Sequence, residues 1–372
     1  MFKPMAVFHK THEGTSERLI QLAAGYFTTY VITGSLVKFF MASSEKGGMG
    51  MTGIEFLVYS TLISSLFCVS LVIYWKWYKF KSTNYTTFLG IHMPKEFLYI
   101  IPSGILTAII IPTTTLLYTF KGVSVMVAMI IMRGSVIIVS RIIDSIQIKQ
   151  GILKKKVYWQ ENAGVVFAIS AIALKLIFVK KGDFDFINNF AFMAIFSSYI
   201  VAYAIRIYIM NFYKNTRPKN AVYDYKGFFG IEQISASLTI IISMIVILLV
   251  TSTNPETVIG QFQQAVSQPH EKWFSAVWAG IPYGIGAFFS VFLFMFQGRT
   301  ATFAGLTNRL TSLIAGTIAT LVVWQWIGNR APNWLDWGAL AFILIAVYFL
   351  GLSEKRRTAA LLRAHVIVQE KG

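Results

Sequence analysis

The chain has 372 residues, enough for two or three soluble domains, yet 55% are hydrophobic, 15% aromatic and only 13% charged. So little polar surface cannot keep domains of that size in water, which excludes a soluble enzyme and reads as an integral membrane protein. The 33 Lys and Arg against 16 Asp and Glu give a net charge of +17; because positive residues collect in the inner loops of membrane proteins, this balance is no sign of a nucleic-acid partner.

Apolar stretches of about 20 residues, the length that crosses a hydrocarbon core of roughly 30 Å, predict helices instead of the short alternating strands of a β-barrel. In chain order they fall at residues 19–42, 53–75, 97–119, 123–143, 162–179, 189–211, 229–250, 274–297, 302–324 and 337–353. Residues 1–18 precede the first span, and a basic tail, which could itself be helical, follows at 354–372. The first span is too long for a signal-peptide core and is expected to be retained. The longest outer loop, 251–272, is polar, and Cys68 is the only cysteine, so no internal disulfide forms.

With the N-terminus inside, the inner segments and the span ends beside them carry 23 Lys and Arg, against 7 for the outer ones. Both termini are therefore expected in the cytoplasm. The basic run Lys149, Lys154, Lys155 and Lys156 fits that topology and could also attract anionic lipid. Arg141 and Asp144, three apart, are placed to pair on one helix face.

The sequence repeats itself. Phe120-Lys121-Gly122 before the fourth span recurs as Phe296-Gln297-Gly298 before the ninth, and the same shift of 176 gives nine identities over residues 104–140. These include Gly104 with Gly280, Ala128 with Ala304 and Arg133 with Arg309. A shift of 175 pairs Trp159 with Trp334 and Glu161 with Asp336. The repeat unit is thus five helices, 19–179 and 189–353. Because five is odd, the second copy enters the membrane inverted, an arrangement that builds alternating-access transporters around a site near the midplane. Pro102 and Pro112 in the third span, and Pro282 with its glycines in the eighth, mark corresponding helices as hinges or as packing kinks.

An arginine inside an apolar span costs roughly 2.5–3.5 kcal/mol and normally faces a partner or a wet cavity. Arg133 and Arg309 hold repeat-equivalent positions and are expected on opposite walls of one cavity, where guanidinium forks suit a phosphate or carboxylate. Lys38 could join them or snorkel to the interface. Glu232 is the acidic candidate for proton coupling, or a helix-start carboxylate wetted by the headgroups. Tyr26 and Tyr30, echoed at shift 173 by Tyr199 and Tyr203, could stack on a solute, as could Tyr283 and Trp278, or simply pack. The P-loop pattern is absent, so ATP-driven pumping is disfavoured, and neither metal nor cofactor is expected.

Ten spans in two inverted halves with kinked third and eighth helices resemble the drug/metabolite transporter superfamily. Met132-Arg133-Gly134-Ser135-Val136-Ile137-Ile138 is similar to a signature of its solute-carrier 35 branch, and Gly305-Leu306-Thr307-Asn308-Arg309 looks like a motif of nucleotide-sugar transporters, with Arg in place of Lys. The resemblance implies that Asn308 and Arg309 contact the phosphates of a nucleotide. The expected protein is an all-α secondary transporter of an anionic organic metabolite, such as a nucleotide sugar or other phosphorylated solute, working by exchange. An exporter of amphipathic compounds and a non-transporting membrane protein are the alternatives. Its partners would be that solute and membrane lipids, with homodimer assembly allowed; which membrane it occupies is left open.

Overall fold

The computed structural model describes residues 15–120, 122–153, 157–178, 185, 187–217, 224–250, 254, 257–294, 301–328 and 331–369, with backbone alone at 16, 176, 301–305, 357, 358 and 360–369. The Phe296–Gly298 motif, Lys154 to Lys156, Arg330 and the first fourteen residues lie outside these. Eleven α-helices follow in order: α1 (Ser16–Met41), α2 (Gly53–Tyr74), α3 (Phe97–Thr119), α4 (Val125–Lys149), α5 (Trp159–Ile177), α6 (Phe190–Asn215), α7 (Tyr225–Leu249), α8 (Val258–Ser267), α9 (Trp273–Phe294), α10 (Ala301–Ile327) and α11 (Trp334–Gln369). Among the described residues the fold is all-α apart from one hairpin, with a single 3-10 turn at Ser44–Lys46.

Among the described residues, nine helices, all but α5 and α8, are long and apolar enough to cross a membrane by length and composition. This is the makeup of a multi-pass membrane protein. Large apolar side chains also face outward in rows, including Val201 and Ile205 on α6 and Leu238, Ile242 and Ile245 on α7. Water would not tolerate such continuous apolar faces, whereas lipid does.

Local chemistry explains where helices begin. Thr52 and Glu55 form a reciprocal capping box at α2, while Ser124, Asn189 and Asp224 cap α4, α6 and α7 through their side chains. Each cap satisfies backbone N–H groups that have no partner within the helix.

Among the described residues α5, expected as a span at 162–179, falls short of the length and apolarity of the other nine, and three further elements depart from expectation. The polar outer loop contains α8, which lays Phe262 and Ala265 inward and accepts a 2.7 Å bond from the Tyr59 hydroxyl at the Ala265 carbonyl. Between α2 and α3, β1 (Tyr85–Phe88) pairs antiparallel with β2 (Ile91–Pro94). Its turn residues Leu89 and Gly90 both have positive φ, the backbone twist a two-residue hairpin requires. Finally, the helical tail is continuous with the last span, so that α11 runs past 353 to Gln369 without a break, because residues 354–369 contain neither proline nor glycine.

The helices pack in a definite set of neighbours. α1 lies against α9 and α10, α3 against α6 and α7, α2 against α7 and α9, α4 against α5, α6 and α10, and α5 against α11. Two crossings are made at glycines. A Cβ on Gly104 of α3 would lie 2.6 Å from the Glu232 carbonyl oxygen of α7, and one on Gly280 of α9 would lie 2.1 Å from that of Ser60 on α2. Only a residue without a side chain allows backbones this close. At one end of the α5–α11 pair, Lys175 forms a buried ion pair with Asp336, and at the other Ser353 donates a 2.9 Å bond to Glu161.

Candidate functional site

α1, α3, α4, α6, α7 and α9 meet around a cavity of about 50 Å3 open to the centres of water molecules, room for a handful of them. Tyr30, Arg133, Tyr203, Arg206, Gln233 and Tyr283 supply most of its polar wall, and aliphatic and hydroxyl side chains of α3 and α9 supply the rest.

Arg133 sits on the most enclosed part of the fold. The preceding eight residues of α4, Val125 to Met132, are all buried, and Arg133 itself is 3% exposed. Its Nη2 donates to the Tyr30 hydroxyl at 2.9 Å and to the Tyr26 hydroxyl at 3.4 Å, and its guanidinium carbon lies 5.5 Å from the Tyr30 ring centre. Among the described residues no carboxylate forms an ion pair with it, and its buried Nε has no hydrogen-bond partner. The polar chain continues from the Tyr26 hydroxyl to Asn308 Oδ1 at 3.4 Å, and from Asn308 Nδ2 to Ser290 Oγ at 3.0 Å. The expected tyrosines Tyr26, Tyr30 and Tyr283 therefore gather here. Tyr30 and Tyr283 face the cavity, whereas Tyr26 orients Arg133 from behind. Trp278 is exposed on the outer face of α9.

Arg309 does not share the wall with Arg133. It turns toward α4 and donates Nη2 to Ser140 Oγ, leaving its buried Nε without a partner. Ser140 lies two turns beyond Arg133 on α4, so the packing of α10 along α4 draws Arg309 to that level. The Arg141 side chain donates to Asn162 at 3.3 Å and to Ser145 at 2.6 Å.

The second arginine of the cavity is Arg206, which the expected span end at 211 assigned to the inner boundary. α6 instead runs to Asn215, so Arg206 lies well inside it and is 6% exposed. Its Nε and Nη2 each donate at 2.8 Å to one oxygen of Glu232, and Ser103 Oγ donates to the same carboxylate at 2.6 Å. Glu232 is therefore no carboxylate wetted by headgroups. It is fully buried on α7 in a bidentate pair. The spacing of Tyr203, Arg206, Met210 and Tyr213, all buried on one face of α6, is the sequence signal that could have revealed Arg206.

Lys38 is not among the residues that line the cavity. Its Nζ donates to the Val123 carbonyl at 2.5 Å and the Phe120 carbonyl at 3.5 Å, holding the junction of α3 and α4. Lys214, at the end of α6, does the same for the Phe294 carbonyl that ends α9. Pro102, Pro112 and Pro282 lie inside continuous helices.

No family model and no curated protein matches this chain. A solved structure described as "Crystal structure of protein" aligns over 90% of this chain and 98% of its own at 16% identity, with a TM-score of 0.46. Likeness at that level carries no argument about fold or function.

Proposed function

We propose that the protein is a secondary transporter that moves an anionic organic solute by alternating access, with Arg133 as the residue that grips the anion. The observation that carries this is a buried guanidinium on a cavity wall, held by phenols alone, with no carboxylate partner among the described residues. Arginine stays charged in proteins. An unpaired charge deep in a protein is costly, so a persistent one signals a ligand that completes it.

Two inverted five-helix halves underlie this reading, α1 to α5 and α6, α7, α9, α10 and α11, with α8 an insertion. The neighbour pattern supports the exchange of halves. α1 with α9 corresponds to α3 with α6, α1 with α10 to α4 with α6, α2 with α9 to α3 with α7, and α4 with α5 to α10 with α11. The glycine crossings support it too, since Gly104 over Glu232 corresponds to Gly280 over Ser60, the glycines 176 residues apart and their partners 172. So do the caps Thr52 and Asp224, the carbonyl-binding lysines Lys38 and Lys214, and the helices that open on Trp159 and Trp334. On this topology both termini are cytoplasmic, as the loop charges suggest. The resemblance to the drug/metabolite transporters fits the same arrangement, and the solute could be phosphorylated or carboxylated. A cavity of about 50 Å3 is too small for a nucleotide sugar, so helices must part for any large solute to enter.

The test is counterflow into liposomes containing the purified protein, across a panel of phosphates and carboxylates. Arg133→Gln should weaken anion-driven counterflow at least about tenfold, the loss of one charge-assisted contact, while the protein remains folded. Equal counterflow in variant and wild type would refute the proposal.

A further inference from the structure

The same cavity also bears on how much charge its solute carries, an inference that rests on the function proposed above. Among the described residues its wall contains two guanidinium groups and no carboxylate. One of them is already spent: Arg206 uses Nε and Nη2 on the two oxygens of Glu232, which Ser103 holds from the other side. Seen from the cavity, that pair is neutral. Arg133 is bonded only to phenols and keeps its full charge. Arg309 stands off the wall against Ser140, where the Asp144 carboxylate and the Arg133 guanidinium both act on it electrostatically with opposite sign. The surplus on the wall itself is therefore one positive charge.

Two buried donors at the cavity also lack partners, Arg133 Nε and Gln233 Nε2. Gln233 is 1% exposed and sits beside Glu232 in α7. Both atoms are closed off from water, and they call for the acceptor oxygens of a solute as the helices part to admit it. A single negative charge cancels the surplus. A second would find a counter-charge only if Arg206 left Glu232, which would strand a carboxylate away from water.

We propose that the site selects organic solutes with one net negative charge, a monocarboxylate or a phosphodiester, and that Glu232 enforces this by keeping Arg206 neutralised. Glu232 is then a built-in anion that occupies the place a second solute charge would take. Gln233 donates to the solute oxygen alongside Arg133.

The experiment measures binding to full-length protein in nanodiscs, using matched probes that differ by one charge. Glutarate is compared with its monoamide, and methyl phosphate with dimethyl phosphate at pH 8. Wild type should favour the singly charged member of a pair at least tenfold. Glu232→Gln frees Arg206 and should move the preference at least tenfold toward the doubly charged member. Gln233→Glu cancels the surplus and should weaken monoanion binding at least tenfold; it decides the matter if Glu232→Gln does not fold. A wild-type preference for dianions that depends on Arg133 would overturn this inference and leave the proposed function standing, as would variants whose charge preference matches wild type. Failure of every anion to bind folded wild type would overturn the proposed function, and this inference with it.

Discussion

A single methyl group at the crossing of α9 and α2 tests the architecture directly. Gly280→Ala would place its Cβ 2.1 Å from the Ser60 carbonyl oxygen and 2.4 Å from Ile63 Cγ2. Ordinary contact begins at 3.4 Å, so the first distance is about 1.3 Å short, and its partner is main chain that no rotamer change can move. The two helices must separate, and overpacking of this kind costs about 1–3 kcal/mol. Gly104→Ala provides the counterpart, with 2.5 Å to Ser235 Cβ and 2.6 Å to the Glu232 carbonyl oxygen, and should cost about the same. Gly351→Ala is the control. Its closest neighbour would be Leu306 Cδ2 at 3.6 Å, and alanine is the better helix former, so its stability should change by less than about 1 kcal/mol or rise. The assay is reversible unfolding of the purified protein in mixed micelles, followed by helical circular dichroism. If Gly280→Ala and Gly104→Ala unfold at the same denaturant level as Gly351→Ala, the close backbone crossings are wrong and the packing of α2, α3, α7 and α9 must be redrawn.

Two further outcomes follow from buried charge. Arg206→Met strands the Glu232 carboxylate and should cost about 3–5 kcal/mol in the same unfolding assay, whereas Arg206→Met with Glu232→Leu should recover most of that loss; additive losses would refute the pairing. Lys38→Met removes the donor to the Val123 and Phe120 carbonyls and should lower stability by about 1–3 kcal/mol while leaving the affinity of any bound anion unchanged. A loss of anion affinity with no loss of stability would instead make Lys38 a ligand.

Composition and span length were enough to establish an all-α, multi-pass membrane protein, because lipid forces the backbone to satisfy itself within helices and makes each crossing a run of about 20 apolar residues. The close-packing glycines Gly104 and Gly280 and the isolated charge of Arg133 were legible for a similar reason: a residue that is costly in an apolar span stands out against its neighbours. Partnership was not legible. Arg206 and Glu232 are 26 residues apart on different helices, and each taken alone looked like a residue near a helix end. Arg309, matched to Arg133 in the repeat, turned to Ser140 instead, and Lys38 found carbonyls 82 and 85 residues away. The apolar period of α8 was too short to signal a helix until Tyr59 and α2 gave it a surface to cover. One residue's cost in lipid is a property of its own chemistry and can be read along the chain, but whether that cost is met by an acid, a phenol, a carbonyl or a solute depends on which helices pack side by side, and only the tertiary structure decides that.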